Sequence, residues 1–254
     1  MIQSSLREAK TKGRKQFAVL VDPDKITIPR LEQLIEMAVD ASIDYFLVGS
    51  SLLLRDGLDA CLAMIKRQCT IPRILFPGNA LQLSNQADGI LLLSLISGRN
   101  PELLIGQHVI AAPYLRQSGL EILPTGYMLI DGGVPTSVSY MSNTTPIPRD
   151  KKDIAQCTAM AGEMLGLQLI YLDAGSGARH AIKPEMIEAV SRAVHTPIIV
   201  GGGIRSPESA QSAARAGADL IIVGNAIEKN PGLLAEMTQS VHDLNPSLGK
   251  KISI

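Results

Sequence analysis

Short aliphatic runs that end in small or turn-forming residues recur along this chain, with helix-period segments between most of them. This alternation constrains the fold more than any other feature. Strands joined by helices pair in parallel, through right-handed crossovers. Eight strands are predicted: Phe17–Val21, Tyr45–Val48, Arg73–Phe76, Gly89–Leu93, a segment within Ile122–Ile130 interrupted by Pro124 and Gly126, Leu169–Asp173, Pro197–Val200 and Asp219–Val223. Apolar residues at helical spacing predict helices over Pro29–Ala41, Leu52–Ile65 (weakened by Gly57) and Pro101 to about Leu115, the last disturbed at Pro113. Further helices are predicted over Asp150–Leu165, Pro184–Val194, Pro207–Ala216 and Pro231–Leu244. After the third strand the pattern is short and poor, so the third helix is expected to be small or missing.

Eight such units in 254 residues predict one α/β domain, a (β/α)₈ TIM barrel over residues 1–254, with a polar N-terminal segment (1–16) and an irregular tail (245–254). The competing architecture is an open doubly wound sheet, which normally carries its glycine fingerprint after the first strand. Here the first strand ends in Asp22-Pro23-Asp24 and the glycines cluster late. Hydrophobic residues make up 46% of the chain but aromatics only 3%, so the core must be aliphatic. That suits a parallel sheet covered by helices.

Charge excludes some functions. With 24 basic and 24 acidic residues there is no basic stripe for nucleic acid. Cys61, Cys69 and Cys157 form neither a metal spacing nor an even disulfide set, which implies a reducing cytoplasm. Residues 1–16 hold five basic residues and no signal-type apolar core, and no apolar run reaches about 18 residues.

Three strand ends carry the chemistry. Tyr171-Leu172-Asp173-Ala174-Gly175-Ser176-Gly177, Gly201-Gly202-Gly203-Ile204-Arg205 and Gly224-Asn225 each follow an apolar run. Glycine tolerates positive φ and lets N–H groups approach an oxyanion. In a barrel these ends share one rim, where phosphate sites follow the last two strands. A short helix over Asn225–Lys229 would add amides. Tight turns explain isolated glycines equally well, but two glycine ends on adjacent strands favour a phosphate cradle. Asp173 can take a proton from a substrate hydroxyl, or merely cap loop amides. Asp22 and Asp24 can hold Mg²⁺, although Asp-Pro-Asp is also a common turn. Ser51 can ligate a metal or a phosphate, or cap the following helix. Asp131, beside Gly132-Gly133, can belong to the same rim. Of four scattered histidines only His180 falls near these loops. The segment from Asp131 to Arg149 is a long polar loop, and loops of that length usually serve a function.

Taken together, Asp22-Pro23-Asp24-Lys25, Val48-Gly49-Ser50-Ser51, Leu75-Phe76-Pro77-Gly78-Asn79, Ser97-Gly98-Arg99-Asn100-Pro101, Ser142-Asn143-Thr144, Tyr171–Gly177, Gly201–Arg205 and Val223–Ala226 resemble the geranylgeranylglyceryl and heptaprenylglyceryl phosphate synthase family. The likeness runs from about Phe17 to Leu244. It implies a prenyltransferase that joins sn-glycerol 1-phosphate to a long prenyl diphosphate, with geranylgeranyl diphosphate the expected donor, in ether-lipid synthesis. By the same resemblance Asp22 and Ser51 would bind Mg²⁺. Tyr171, Leu172, Asp173, Ala174, Gly175, Ser176, Gly177, Gly202, Gly203, Gly224 and Asn225 would hold the glycerol phosphate, and Asp173 would deprotonate its hydroxyl. A homo-oligomer, dimer or hexamer, and peripheral membrane contact are further implications. The prenyl tail needs an apolar groove, for which Phe76, Leu93 and Tyr127 are candidates, each equally well read as ordinary core. Two departures stand out: that family usually has Glu at Asp173, and many members have Lys at Leu20, whose phosphate contact Lys25 or Arg205 could replace. Other phosphate-binding barrels, isomerases or aldolases, remain an alternative, but they tend to need a strand-end lysine or a carboxylate pair, and no strand-end lysine lies inside this barrel. A non-catalytic barrel that senses a phosphorylated metabolite is the remaining reading.

Overall fold

Eight aliphatic runs form strands β1 Gln16–Val21, β2 Tyr45–Val48, β3 Arg73–Leu75, β4 Gly89–Leu95, β5 Glu121–Leu129, β6 Leu169–Asp173, β7 Ile198–Gly201 and β8 Leu220–Val223. In the computed structural model, which describes residues 1–246, each strand pairs in parallel with the next and β8 pairs with β1. The sheet is therefore a closed barrel. The helices are α1 Ile2–Thr11, α2 Ile28–Asp40, α3 Leu58–Gln68, α4 Gln107–Ser118, α5 Ser137–Ser142, α6 Lys152–Met164, α7 Pro184–Ala193, α8 Pro207–Arg215, α9 Asn225–Lys229 and α10 Leu233–His242. A π-helical turn, Glu102–Gly106, leads into α4. The expected tail falls mostly outside the described residues.

Alternation along each strand divides the core in two. Ala18, Leu47, Leu91, Tyr127, Tyr171 and Ile222 fill the barrel interior. Phe17, Phe46, Leu75, Leu172, Val200 and Ile221 face the helices. The N-terminal segment is a helix rather than plain polar chain. Ile2, Leu6 and Ala9 of α1 form one buried stripe, and Ile2 and Leu6 join the interior cluster. Glu121 caps α1 by accepting from the N–H groups of Ile2 (2.5 Å) and Gln3 (2.8 Å). A carboxylate at a helix N-terminus is electrostatically favoured.

Four sequence expectations need correction. α3 starts at Leu58, not Leu52, because Asp24 accepts from the N–H groups of Leu54 (2.5 Å) and Arg55 (3.1 Å) and so holds that backbone in a loop. Strand β5 runs unbroken through Pro124. The Pro124 carbonyl accepts from Gln168 N (2.8 Å), and β6 begins only at Leu169, so the missing N–H faces an edge that is not yet strand. The disturbance before α4 lies at Glu102–Gly106 rather than at Pro113, which α4 accommodates while continuing to Ser118. The polar loop after β5 contains α5, started by a capping box between Thr136 and Ser139. The third helix, in contrast, is absent: residues 76–88 connect β3 to β4 with turns alone.

Candidate active site

The carboxyl ends of the strands share one rim, and the predicted cradle assembles there. The loop after β6 meets the loop after β7 so closely that a Cβ on Gly202 would stand 2.6 Å from Asp173 Oδ1 and 2.7 Å from the amide nitrogens of Ala174 and Gly175. Gly202 also has φ +78°, a conformation that a side chain disfavours. The loop after β6 reaches the end of β8 as well, where the Ser176 hydroxyl donates to Asn225 Oδ1 (3.3 Å). α9 opens at Asn225 directly after Gly224, as the sequence predicts. The ends of β6, β7 and β8 thus meet at one rim. Arg205 braces it by donating to the Ala178 carbonyl (2.7 Å). The side chains of Leu172 and Ala174 point away into the helix-facing core, so only their backbone belongs to this rim.

Asp173 closes the cradle from below. It is 6% exposed, with Oδ1 accepting from Gly175 N (2.7 Å) and Oδ2 from the Tyr127 hydroxyl (2.5 Å). Burial raises its pKa, against the pull of those two hydrogen bonds. Tyr127 and Tyr171 are paired across β5 and β6 with ring centroids 5.3 Å apart, nearly perpendicular, and Phe76 packs against both. Burial holds both phenol pKa values well above the usual range.

Asp22 sits at the end of β1, buried. Its Oδ2 accepts from the Ser50 hydroxyl (3.1 Å) and pairs with the Lys25 ammonium (2.7 Å), and Oδ1 accepts from Asp24 N (3.1 Å). Partial burial works against the charge on Lys25, but Asp22, then Glu228 and Asp24, outweigh it and raise the pKa. Burial also raises that of Glu228 on α9, against the opposing pull of Lys25. Because β1 pairs with β8, Val19 opposite Val223, Asp22 lies beside the end of β8. Lys25 is therefore committed to Asp22, and Leu20 packs against Gly224. Ser50, which the sequence reading passed over, touches Asp22; Ser51 instead lines the mouth of the adjoining cavity. Among the described residues no three His, Cys, Asp or Glu side chains converge as a metal cage. Asp22 offers one buried carboxylate with the Ser50 hydroxyl on it, and a hard cation there would displace the Lys25 ammonium from Oδ2 and take its other ligands from phosphate and water. Asp131 accepts from Gly133 N (2.8 Å), and the His180 ring lies over Gly133, so both brace the rim.

Beside this polar half opens an apolar cavity of about 330 Å³. It begins at Ser51, Pro77 and Tyr127, crosses β4, and ends against Ala111 and Leu115 of α4. Leu91, Leu93 and Leu95 line it from the barrel mouth, and Ile90 and Leu92 from the outer face of β4. That outer face is accessible because no helix follows β3. Gln82 stitches the bare connection to the loop after β2, accepting from Gly78 N and donating to the Ser50 carbonyl, both at 3.0 Å. Phe76, Leu93 and Tyr127 do line the cavity, as the sequence suggests. His108, also on its wall, gave no sequence signal: it contacts the Leu93 carbonyl (2.9 Å) from α4.

These features define a closed parallel (β/α)₈ barrel whose glycine-rich polar rim adjoins an apolar cavity. Comparison with known proteins narrows the class. Residues 9–243 match the PcrB family, and the chain belongs to that family. It is 55% identical over 247 residues to a geranylgeranylglyceryl phosphate synthase of Chitinophaga pinensis, covering 97% of this chain and 98% of the relative. The synthase of Spirosoma linguale is 56% identical over 243 residues, covering 96% and 98%. Among solved structures, (S)-3-O-geranylgeranylglyceryl phosphate synthase from Thermoplasma acidophilum, in complex with its substrate sn-glycerol-1-phosphate, superposes with a TM-score of 0.90 at 30% identity, covering 96% of this chain and 99% of that one. The chain is accordingly an enzyme, a prenyltransferase.

Proposed function

We propose that this prenyltransferase joins the C3 hydroxyl of sn-glycerol 1-phosphate to a long prenyl diphosphate, geranylgeranyl diphosphate first among them, and releases diphosphate. The observation that carries the reading is the junction at Asp173 and Tyr127. There the glycine-rich loops meet a cavity lined by leucines. The cavity, about 330 Å³, is lined by Leu91, Leu93 and Leu95 and by Ala111 and Leu115, an apolar lining suited to a hydrocarbon chain.

The acceptor's phosphate is held by the amides of Gly175–Gly177, Gly202-Gly203 and Gly224-Asn225, with Ser176 and Tyr171 beside them. Fixing that end presents the hydroxyl at a set distance from the donor carbon. Asp173 accepts the hydroxyl proton as the ether bond forms and the bond to diphosphate breaks. Asp22 and Ser51, with Ser50 beside them, would hold Mg²⁺, which supplies charge neutralisation for the departing diphosphate. The cavity excludes water from the electrophilic carbon, so attack by the bound alcohol is favoured over hydrolysis.

The setting follows from the same chemistry. A soluble glycerol phosphate and a lipid donor suit an enzyme of the cytoplasm that meets the membrane only peripherally. Among the described residues no helix is long and apolar enough to cross one. The outer stripe of α4 and its leading turn exposes Ile105, Val109, Ile110 and Tyr114, a face suited to a second copy in a homo-oligomer.

The test is incubation with radiolabelled glycerol 1-phosphate and a panel of prenyl diphosphates, with and without Mg²⁺, reading product length by chromatography. Incorporation should require both the metal and a long donor. No incorporation with any donor refutes the proposal.

A further inference from the structure

One side of the Asp173 carboxyl is sealed. Oδ1 takes the Gly175 N–H, and the Gly202 backbone crowds the same oxygen. An acceptor hydroxyl therefore reaches the group at Oδ2, where the Tyr127 hydroxyl already donates at 2.5 Å. Tyr127 also belongs to the other half of the site. Its ring lines the apolar cavity, clamped between Phe76 at 6.0 Å and Tyr171 at 5.3 Å. One side chain thus spans donor cavity and base.

We infer that Tyr127 is a positioning residue for the transfer: its hydroxyl aims Asp173 Oδ2 at the junction of cradle and cavity and holds the carboxylate ionised. This rests on the reading of Asp173 as the base. A hydrogen bond to an ionised acceptor is roughly twice as strong as one between neutral groups, so the phenol favours the carboxylate over the acid. Without it, burial alone would press Asp173 towards its neutral form, which cannot accept a proton. The titratable groups facing Asp173 are Tyr127 on β5 and Tyr171 on β6. From β7 it meets the backbone of Gly201 and Gly202. Neither phenol competes for the charge, because burial keeps both protonated. During transfer the acceptor's proton passes to Oδ2, the new C–O bond forms, the diphosphate leaves with its bonding pair, and Tyr127 keeps its own proton throughout.

Tyr127→Phe removes the hydroxyl and leaves the clamped ring. We expect kcat to fall about tenfold or more, less than the full general-base contribution of about 10²–10⁴-fold, while KM for glycerol 1-phosphate stays within about twofold. The acid limb of the kcat profile should move to higher pH, which a purely structural role does not produce. A double-mutant cycle supplies the second measurement. Against an Asp173→Asn background, Tyr127→Phe should change little, because its target is gone. Parental kcat with an unmoved acid limb overturns the inference, as do losses that multiply in the double variant. Lack of turnover by the parental enzyme would count instead against the proposed reaction.

Discussion

Gly202 offers a direct measure of how tightly the cradle is built. It and Gly177 both adopt positive φ, +78° and +83°, yet their surroundings differ. A Cβ on Gly177 meets nothing within 4 Å, whereas one on Gly202 meets Asp173 Oδ1 at 2.6 Å and two amide nitrogens at 2.7 Å. Gly177→Ala should therefore lose only the left-handed backbone penalty, about 1–2 kcal/mol. Gly202→Ala carries the same penalty plus overpacking of about 1–3 kcal/mol, since backbone amides cannot rotate aside as a side chain can. If the shift also breaks the bond from Gly175 N to the carboxylate, a further loss of about 1.5–3 kcal/mol follows. The difference between the two variants should thus be about 1–3 kcal/mol from overpacking alone, and larger if that bond breaks. The chain has no tryptophan, so urea denaturation is best followed by far-ultraviolet circular dichroism. Steady-state kinetics gives the second readout. For Gly202→Ala, KM for glycerol 1-phosphate should rise at least about tenfold while that for the prenyl diphosphate stays within about twofold. Equal stabilities for the two variants, or an unchanged acceptor KM in Gly202→Ala, would refute the argument that this backbone contact shapes the anion site.

Other outcomes test the remaining parts. Chelation should stop turnover yet leave glycerol 1-phosphate binding measurable by calorimetry, and Asp22→Asn should weaken the Mg²⁺ dependence without unfolding the chain; loss of acceptor binding on chelation would contradict a donor-side metal. Ala111→Phe fills the cavity wall on α4, so transfer from geranylgeranyl diphosphate should fall more steeply than transfer from geranyl diphosphate, as read by product chromatography. Asp173 ties activity to stability. Its native pKa is raised by burial, so the folded chain retains a proton that the unfolded chain has already released. Stability therefore declines as pH rises through that native pKa, and the loss persists at neutral pH. Asp173→Asn, which cannot titrate, should gain stability relative to the parent from acid to neutral pH, while losing turnover. Urea midpoints at the two pH values decide it.

What the sequence reveals here, and what it hides, has a physical pattern. The barrel is legible because every strand is a local aliphatic run and every crossover but that from β3 to β4 contains a local helix period. The cradle is legible because glycine at a strand end is a local signal too. What escapes is set by contacts between residues distant in the chain. Asp24 reaches 30 positions ahead to keep Leu54 from starting a helix, and Glu121 caps a helix 119 positions behind it. Tyr127 meets Asp173 across 46 positions, visible only once the inward faces of β5 and β6 are in register. Ser50 and Ser51 are neighbours of one chemical type, so only the turn after β2 decides which hydroxyl meets Asp22. The third helix shows how a weak local signal acquires meaning. Its absence over residues 76–88 reads as a mere irregularity of pattern. In the folded chain it leaves Ile90 and Leu92 on the outer face of β4 without a helix on one side, and that opening is the wall of the apolar cavity. A stretch too poor in apolar periodicity to make a helix is thus what gives the barrel room for a long hydrocarbon. A designed helix inserted there should close the cavity and abolish transfer from long donors while leaving the anion cradle intact, measured as retained glycerol 1-phosphate binding.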